Sequence, residues 1–200
     1  MGKSKRKKRE FFIPYIQNRE VIDIGCAGND DRPYDNDEWL HKYIARAASY
    51  CIGIDMDEPK VNDMKALGYN VVAIKAQHIQ LDRRFDVVCA FDVMEHIEDQ
   101  KSFFGNVDSL LKPDGKLLIS VPNPFFFWKF LRAGIRGEGN NNPEHVCWFC
   151  NSTIREHLRR YGFKVDRLEF RSGEPGLYRL IFLPKIWRHT SLYVVASRMR

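Results

Sequence analysis

Val21-Ile22-Asp23-Ile24-Gly25-Cys26-Ala27-Gly28 is the stretch on which the fold is read. Its first four residues form an apolar run with a single charge, the pattern of a strand buried on both faces of a parallel sheet. The run enters a turn in which two glycines let backbone amides come close to a ligand. A second strand, Cys51-Ile52-Gly53-Ile54-Asp55, ends in a carboxylate. In a sheet begun by these two strands their ends lie side by side, and a carboxylate there can accept both hydrogen bonds of a ribose 2′,3′-diol. A turn glycine and a helix-capping aspartate account for each motif singly, but not for their order.

Working outward, residues 10–18 are aromatic and broken by Pro14, which predicts a short helix or turn over one sheet edge. Residues 29–38 are polar, acidic and interrupted by Pro33, hence a loop. Helical spacing follows over residues 39–49, and again from Pro59 through Val61, Met64 and Leu67 to a stop at Gly68. Residues 70–74 and 85–91 read as strands, and residues 102–111 as a helix closed by the turn Lys112-Pro113-Asp114-Gly115. Residues 116–121 are a fifth strand, 152–161 a helix stopped at Gly162, and 165–170 and 192–197 two more strands. Such alternation predicts an α/β fold with a mostly parallel sheet and helices on both faces.

The 200 residues, 44% hydrophobic and 29% charged, suit one domain over residues 10–200. No apolar run approaches the roughly 18 residues that cross a bilayer, and the basic amino terminus lacks a signal-peptide core, so a cytoplasmic protein is expected. The five cysteines, an odd number, fit a reduced protein. Cys147 and Cys150 have metal-like spacing, but zinc needs a fourth ligand that no second cluster supplies, and no metal is expected. Six of the seven residues from Lys3 to Arg9 are basic, whereas residues 10–154 carry net −7 and residues 155–200 net +7. Residues 1–9 are therefore expected to be a disordered basic tail, either simply solvated or an electrostatic arm toward nucleic acid or an anionic membrane, or a nuclear address.

With these residues in hand the chain resembles the class I S-adenosylmethionine-dependent methyltransferases, in the small-molecule subgroup (type 11/type 23 domain). The resemblance rests on residues 23–28, 52–55, 85–96 (Phe-Asp-Val-Val-Cys-Ala-Phe-Asp-Val-Met-Glu-His), 110–122 and 145–163. It implies a Rossmann-like sheet of seven strands in the order 3-2-1-4-5-7-6, the last antiparallel, and S-adenosylmethionine as cofactor. It further implies that Gly25, Cys26, Ala27 and Gly28 lie under the methionine part, with Asp23 holding its ammonium directly or through water. Asp55 is then expected to clasp the ribose, Met56 to pack on the adenine, Ala76 and Gln77 to meet its edge, and the backbone near Phe91 to complete the amino-group site. One departure is Lys75, where the family often has an acid that accepts from adenine. Lysine cannot accept that bond; Gln77 could substitute, or the register is shifted by two.

The turn lacks the Gly-x-Gly start and third glycine of a dinucleotide fingerprint, so an NAD-binding dehydrogenase fits poorly. Methyl transfer is an in-line displacement that mainly asks for positioning and exclusion of water. Where a hydroxyl must lose its proton, the candidates are His96 with Glu95, alternatively a structural helix start beside the cofactor, and His145, alternatively a lid anchor. Between Pro122 and His145 runs Pro124-Phe125-Phe126-Phe127-Trp128-Lys129-Phe130-Leu131, then Arg132, Arg136 and a Gly/Asn-rich loop. An insertion at about 123–145 overhangs the acceptor side, as a lid over a partly apolar acceptor that could touch a membrane surface or as aromatics closing the core. Residues 177–187 could line the same mouth or form a short connecting helix. The leading expectation is O-methylation of a small molecule or glycan. Its rivals are an RNA or protein methyltransferase using the basic tail, and a cofactor-binding module without catalysis.

Overall fold

The computed structural model describes residues 3–28, 34, 39–137, 142–171 and 183–199, with side chains from residue 8 onward. The elements run α1 (Lys3–Ile16), β1 (Glu20–Ile24), α2 (Leu40–Ala47), β2 (Tyr50–Asp55), α3 (Glu58–Ala66), β3 (Val71–Ala73), β4 (Phe85–Phe91), α4 (Gln100–Leu110) and β5 (Leu111–Pro122). They continue with α5 (Phe127–Arg136), α6 (Asn151–Arg160), β6 (Phe163–Arg171), α7 (Lys185–Arg188) and β7 (Ser191–Arg198). Single 3-10 turns follow β3 at Ala76–His78 and β4 at Met94–His96.

Among the described residues seven strands form one sheet in the order β3-β2-β1-β4-β5-β7-β6. β1 to β5 pair in parallel, and β7 is antiparallel to both β5 and β6. The period-2 alternation of the strands sorts their side chains onto two faces. Ile22, Ile24, Ile54, Val88, Ala90, Ile119 and Val194 pack with α4 and α6, while Val21, Val87, Cys89, Leu118 and Val195 pack with α1 and α2. With every parallel crossover on one side or the other of this sheet, the carboxyl ends of β1, β2 and β4 come to one edge, where a ligand of an open α/β sheet binds.

Two expectations about the amino terminus are corrected. Residues 3–9 are not a disordered tail but the first turns of α1, and Pro14 lies inside that helix rather than breaking it. Nor does the segment cover a sheet edge. Phe11, Phe12 and Ile16 are buried on the middle of the sheet, with the Phe12 ring 4.5 Å from Phe91 and 5.2 Å from Tyr193. Burying such side chains stabilises by about 2 kcal/mol each. That is enough to dock the helix.

The Lys112-Pro113-Asp114-Gly115 turn is also absorbed into β5, as an irregularity at which Phe85 faces Leu111 and Val87 faces Lys116. Gly115 is required there, since a Cβ would come within 2.7 Å of Leu111 Cδ2 and 3.0 Å of the Lys112 carbonyl. Most of the acidic loop 29–38, residues 138–141 of the Gly/Asn-rich loop and residues 177–182 lie outside the described residues. No helix among those described is long and apolar enough to cross a membrane.

Candidate active site at the carboxyl edge of the sheet

The first two strand tips are joined by hydrogen bonds. Gly25 and Cys26 N–H donate to the Ile54 carbonyl at 2.7 and 3.2 Å, and Ala27 N–H donates to Asp55 Oδ2 at 2.9 Å. Asp57 N–H reaches Asp55 Oδ1 at 3.1 Å. Each carboxylate oxygen thus has one backbone donor and keeps accepting capacity at the edge of the site. Gly25 adopts φ +77° and Gly28 φ +71°, and a Cβ at Gly25 would strike Val93 Cγ2, so the turn closes against the segment after β4 only because its residue has no side chain.

Asp23 lies one pair back from the tip, opposite Gly53 of β2 and Cys89 of β4. It is buried, and its Oδ2 is 2.7 Å from Nδ1 of the equally buried His41 on α2. Gly53 makes the space: a Cβ there would lie 2.7 Å from Cys26 Sγ, 2.8 Å from His41 Cε1 and 2.8 Å from Val71 Cγ1. Trp39 Nε1 donates to the Cys26 carbonyl at 2.8 Å, so the residue just before α2 holds the glycine turn while His41 holds the strand that leads into it.

At the end of β4 the Phe91 side chain turns toward α1, and Asp92 takes the left-handed φ of 56°. Lys8 Nζ donates to Asp92 Oδ2 at 2.5 Å and Ser120 Oγ to its Oδ1 at 2.9 Å. The Lys8 ammonium also sits 5.8 Å from both the Phe91 and Tyr193 ring centres. The amino-terminal helix thereby reaches the mouth of the site.

Glu95 lies in the 3-10 turn and is 2% exposed, with no hydrogen-bond donor on either carboxylate oxygen. Burial, reinforced by the charge of Asp92, pushes its pKa up to about 8. Its carbonyl accepts from Val146 N–H at 2.9 Å, which brings His145 against His96 with ring centres 4.7 Å apart and edge to face. Burial, with His96 and Lys129 adding to it, lowers the pKa of His145. Lys129 of α5 is held below the usual lysine range by burial, against the pull of Glu95 and Asp92. Glu95, Lys129 and His145 line a cavity of about 20 Å³ together with Pro122, Pro124 and Trp148.

Cys147 and Cys150 do not converge on a common point. The Cys147 thiol donates to the Met94 carbonyl at 3.6 Å, while Cys150 caps α6 through Thr153 and Ser152. All five cysteines are free.

The insertion after β5 is anchored at its root. Asn123 Nδ2 donates to the carbonyls of Ile186 and His189, both at 2.6 Å, and its Oδ1 accepts from Phe125 N–H at 3.1 Å. Beyond that root α5 leaves most of its large apolar side chains in the open, with Trp128 57%, Phe130 60% and Ile135 75% exposed, while Lys129 is half-buried. Phe126 and Phe127 are half-buried, whereas Trp128 and Phe130 do not pack into the core. Part of residues 177–187 does form a short helix, α7, whose Trp187 ring lies 6.5 Å from Phe127.

Of the residues singled out from sequence, Gly25 to Ala27 and Asp55 meet directly, and Glu95, His96 and His145 form a second group. Gln77 stands beside Ala76 in the turn after β3, whose Ala76 carbonyl accepts from Asn106 Nδ2 at 3.1 Å, and Met56 is 70% exposed at the end of β2. Sequence reasoning missed His41, Lys8, Asp92, Ser120, Asn123 and Lys129 as site residues. Asp92 and Lys129 stood inside quoted stretches and Lys8 inside the basic run, but all six owe their place to contacts across the fold.

A model of the methyltransferase domain family matches residues 3–168. A ubiquinone biosynthesis O-methyltransferase of Coxiella burnetii is 25% identical over 118 residues, covering 56% of this chain and 47% of the relative. A probable S-adenosylmethionine-dependent methyltransferase of Mycolicibacterium smegmatis is 30% identical over 151 residues, covering 74% and 53%. The chain thus spans about half the length of the curated relatives it matches. Among solved structures, a SAM-dependent methyltransferase from Archaeoglobus fulgidus superposes with a TM-score of 0.71 at 22% identity, covering 97% of this chain and 92% of the other. Magnesium protoporphyrin IX methyltransferase of Synechocystis, with bound SAH, gives 0.62 at 19%, covering 98% and 81%. At such identities the superpositions speak for the fold.

Proposed function

Since the chain belongs to the methyltransferase domain family, we propose that it transfers the methyl group of S-adenosylmethionine to a hydroxyl of a small-molecule or glycan acceptor. The observation that carries this reading is the junction of the first two strand tips, with Ala27 N–H on Asp55 Oδ2 at 2.9 Å. The residues fit a nucleoside with an amino-acid end. A turn with no Cβ at Gly25 or Gly28 lets a ligand come close to the backbone on one side, and Asp55 offers two acceptor oxygens for a diol on the other. Bound there, S-adenosylmethionine supplies a methyl carbon already activated by its sulfonium.

Asp23 has one oxygen taken by His41, so its role toward the ammonium runs through water from the other oxygen. Met56, exposed at the end of β2, covers the adenine, whose edge faces Ala76 and Gln77. The Phe91 backbone completes the amino-group site, and Asp92 follows it at the mouth. His145 and His96 offer imidazole nitrogens to the acceptor proton, and α5 covers an acceptor with an apolar portion. Oxygen as the acceptor atom agrees with the name of the Coxiella relative.

Calorimetric titration tests the reading. S-adenosylhomocysteine should bind and raise the melting temperature, and NAD should do neither. Binding of NAD in preference to S-adenosylhomocysteine would end it.

A further inference from the structure

Glu95, His96 and His145 each offer one ligand atom, and these three atoms lie within 4.8 Å of one another. We propose that they form a binding site for one divalent first-row transition ion, of the Mn2+, Fe2+, Co2+ or Zn2+ class. The site rests on the reading above for its use, though not for its existence.

Three features point to a cation. Ligand atoms at about 2.1 Å from an ion are at most about 4.2 Å apart, so closure needs only a few tenths of an ångström from each group. Glu95 is 2% exposed with both oxygens lacking a donor, a state that a buried carboxylate is normally spared by a partner or a metal. The adjoining cavity of about 20 Å³ has room for one water-sized sphere. The group is also held in place. Glu95 and His96 share one 3-10 turn, and the chain carrying His145 is tied to it by Val146 N–H and Cys147 N–H on the Glu95 carbonyl at 2.9 and 3.4 Å.

The donor set decides the ion. Two imidazoles and one carboxylate favour a transition ion over magnesium, which prefers oxygen ligands and keeps its waters. Three protein ligands leave coordination positions open, as in catalytic rather than structural sites. An acceptor hydroxyl entering one of them would be acidified, its O–H bond breaking with the proton passing to solvent water. The imidazoles then serve as ligands instead of proton acceptors. Glu144, whose Oε2 is 3.9 Å from His96 Nδ1, adds negative charge at the rim. Lys129 is the competing cation in the cavity, but it makes no hydrogen bond to Glu95.

The test is titration of the full chain, freed of metal by a chelator, with Mn2+ followed by electron paramagnetic resonance, and with Co2+ by its visible spectrum. The expected result is one ion per chain. Affinity should fall by about 100-fold or more in Glu95→Gln and His145→Ala, losses at least as large as those from removing an outer partner. It should be unchanged in His78→Asn and equal or higher in Lys129→Met. Circular dichroism and melting curves of the two ligand variants confirm that they fold. Absence of binding to the wild type at millimolar Mn2+ and Co2+, or binding that neither ligand variant weakens, would overturn the proposal. The titration uses neither donor nor acceptor, so a failure of S-adenosylhomocysteine to bind would strike the transferase reading alone.

Discussion

Replacing Asp55 by alanine removes the group on which the nucleoside reading turns. In the free protein Asp55 accepts from Ala27 N–H at 2.9 Å and from Asp57 N–H at 3.1 Å. It is only partly buried, so both amides can turn to water, and the cost to folding should be about 1 kcal/mol. The cost to the ligand is larger. Two hydrogen bonds from a diol to a carboxylate are charge-assisted, each worth about 1.5–3 kcal/mol, and the lower end already gives a total near 3 kcal/mol. At 1.4 kcal/mol per decade that is a loss of about 100-fold in affinity for S-adenosylhomocysteine. Asp55→Asn keeps one carbonyl oxygen but turns its amide toward a backbone N–H, donor against donor, and should lose about tenfold. Isothermal titration calorimetry measures both, with melting curves to show that the variants are folded. An affinity of Asp55→Ala within about threefold of the wild type would refute the argument that this carboxylate grips the ribose.

Other consequences follow from the same contacts. His41→Leu leaves the Asp23 carboxylate buried without its partner and should cost about 3–5 kcal/mol in urea unfolding, part of which Asp23→Asn should restore in the double variant; a cost below about 1 kcal/mol would contradict the buried pair. Burial raises the Cys150 thiol, but hydrogen bonds from Ser152 and Thr153 together outweigh it and bring the pKa down to about 7. Its thiolate therefore forms as pH rises through about 7, and iodoacetamide should label Cys150 before Cys147, whose pKa burial raises; equal rates at neutral pH would count against this. Trp128→Ala with Phe130→Ala should change stability by no more than about 0.5 kcal/mol each, because both are exposed. The same double variant should lose binding to vesicles of anionic phospholipid, which Arg132 and Arg136 would favour; unchanged sedimentation with vesicles would remove membrane contact from the reading.

Local sequence pattern was informative where one element states its own environment. The apolar runs 21–24, 51–54 and 87–90 declare strands buried on both faces, and the glycine at position 25 declares a turn that tolerates no side chain. Asp55 was legible because its position at the end of a strand follows from counting along that strand. Residues 3–9 were misread because a run of like charges shows only its repulsion. It does not show that the helix continuing it buries Phe11 and Phe12, or that Lys8 finds a carboxylate 84 residues away. The aromatic run 125–131 was ambiguous for the same reason, since helical spacing states that a face exists and not what it meets.

By itself, then, the chain's order of residues determined the succession of strands and helices, the glycine turn after the first strand and the carboxylate that ends the second, because these depend on periodicity and turn chemistry within short windows. Only the tertiary structure decided that His41 closes on Asp23, that His145 joins Glu95 and His96 from about 50 residues downstream, and that α5 stands exposed. Those are encounters between segments distant along the chain, set by how strands and helices stack, and no local pattern encodes the partner on the far side.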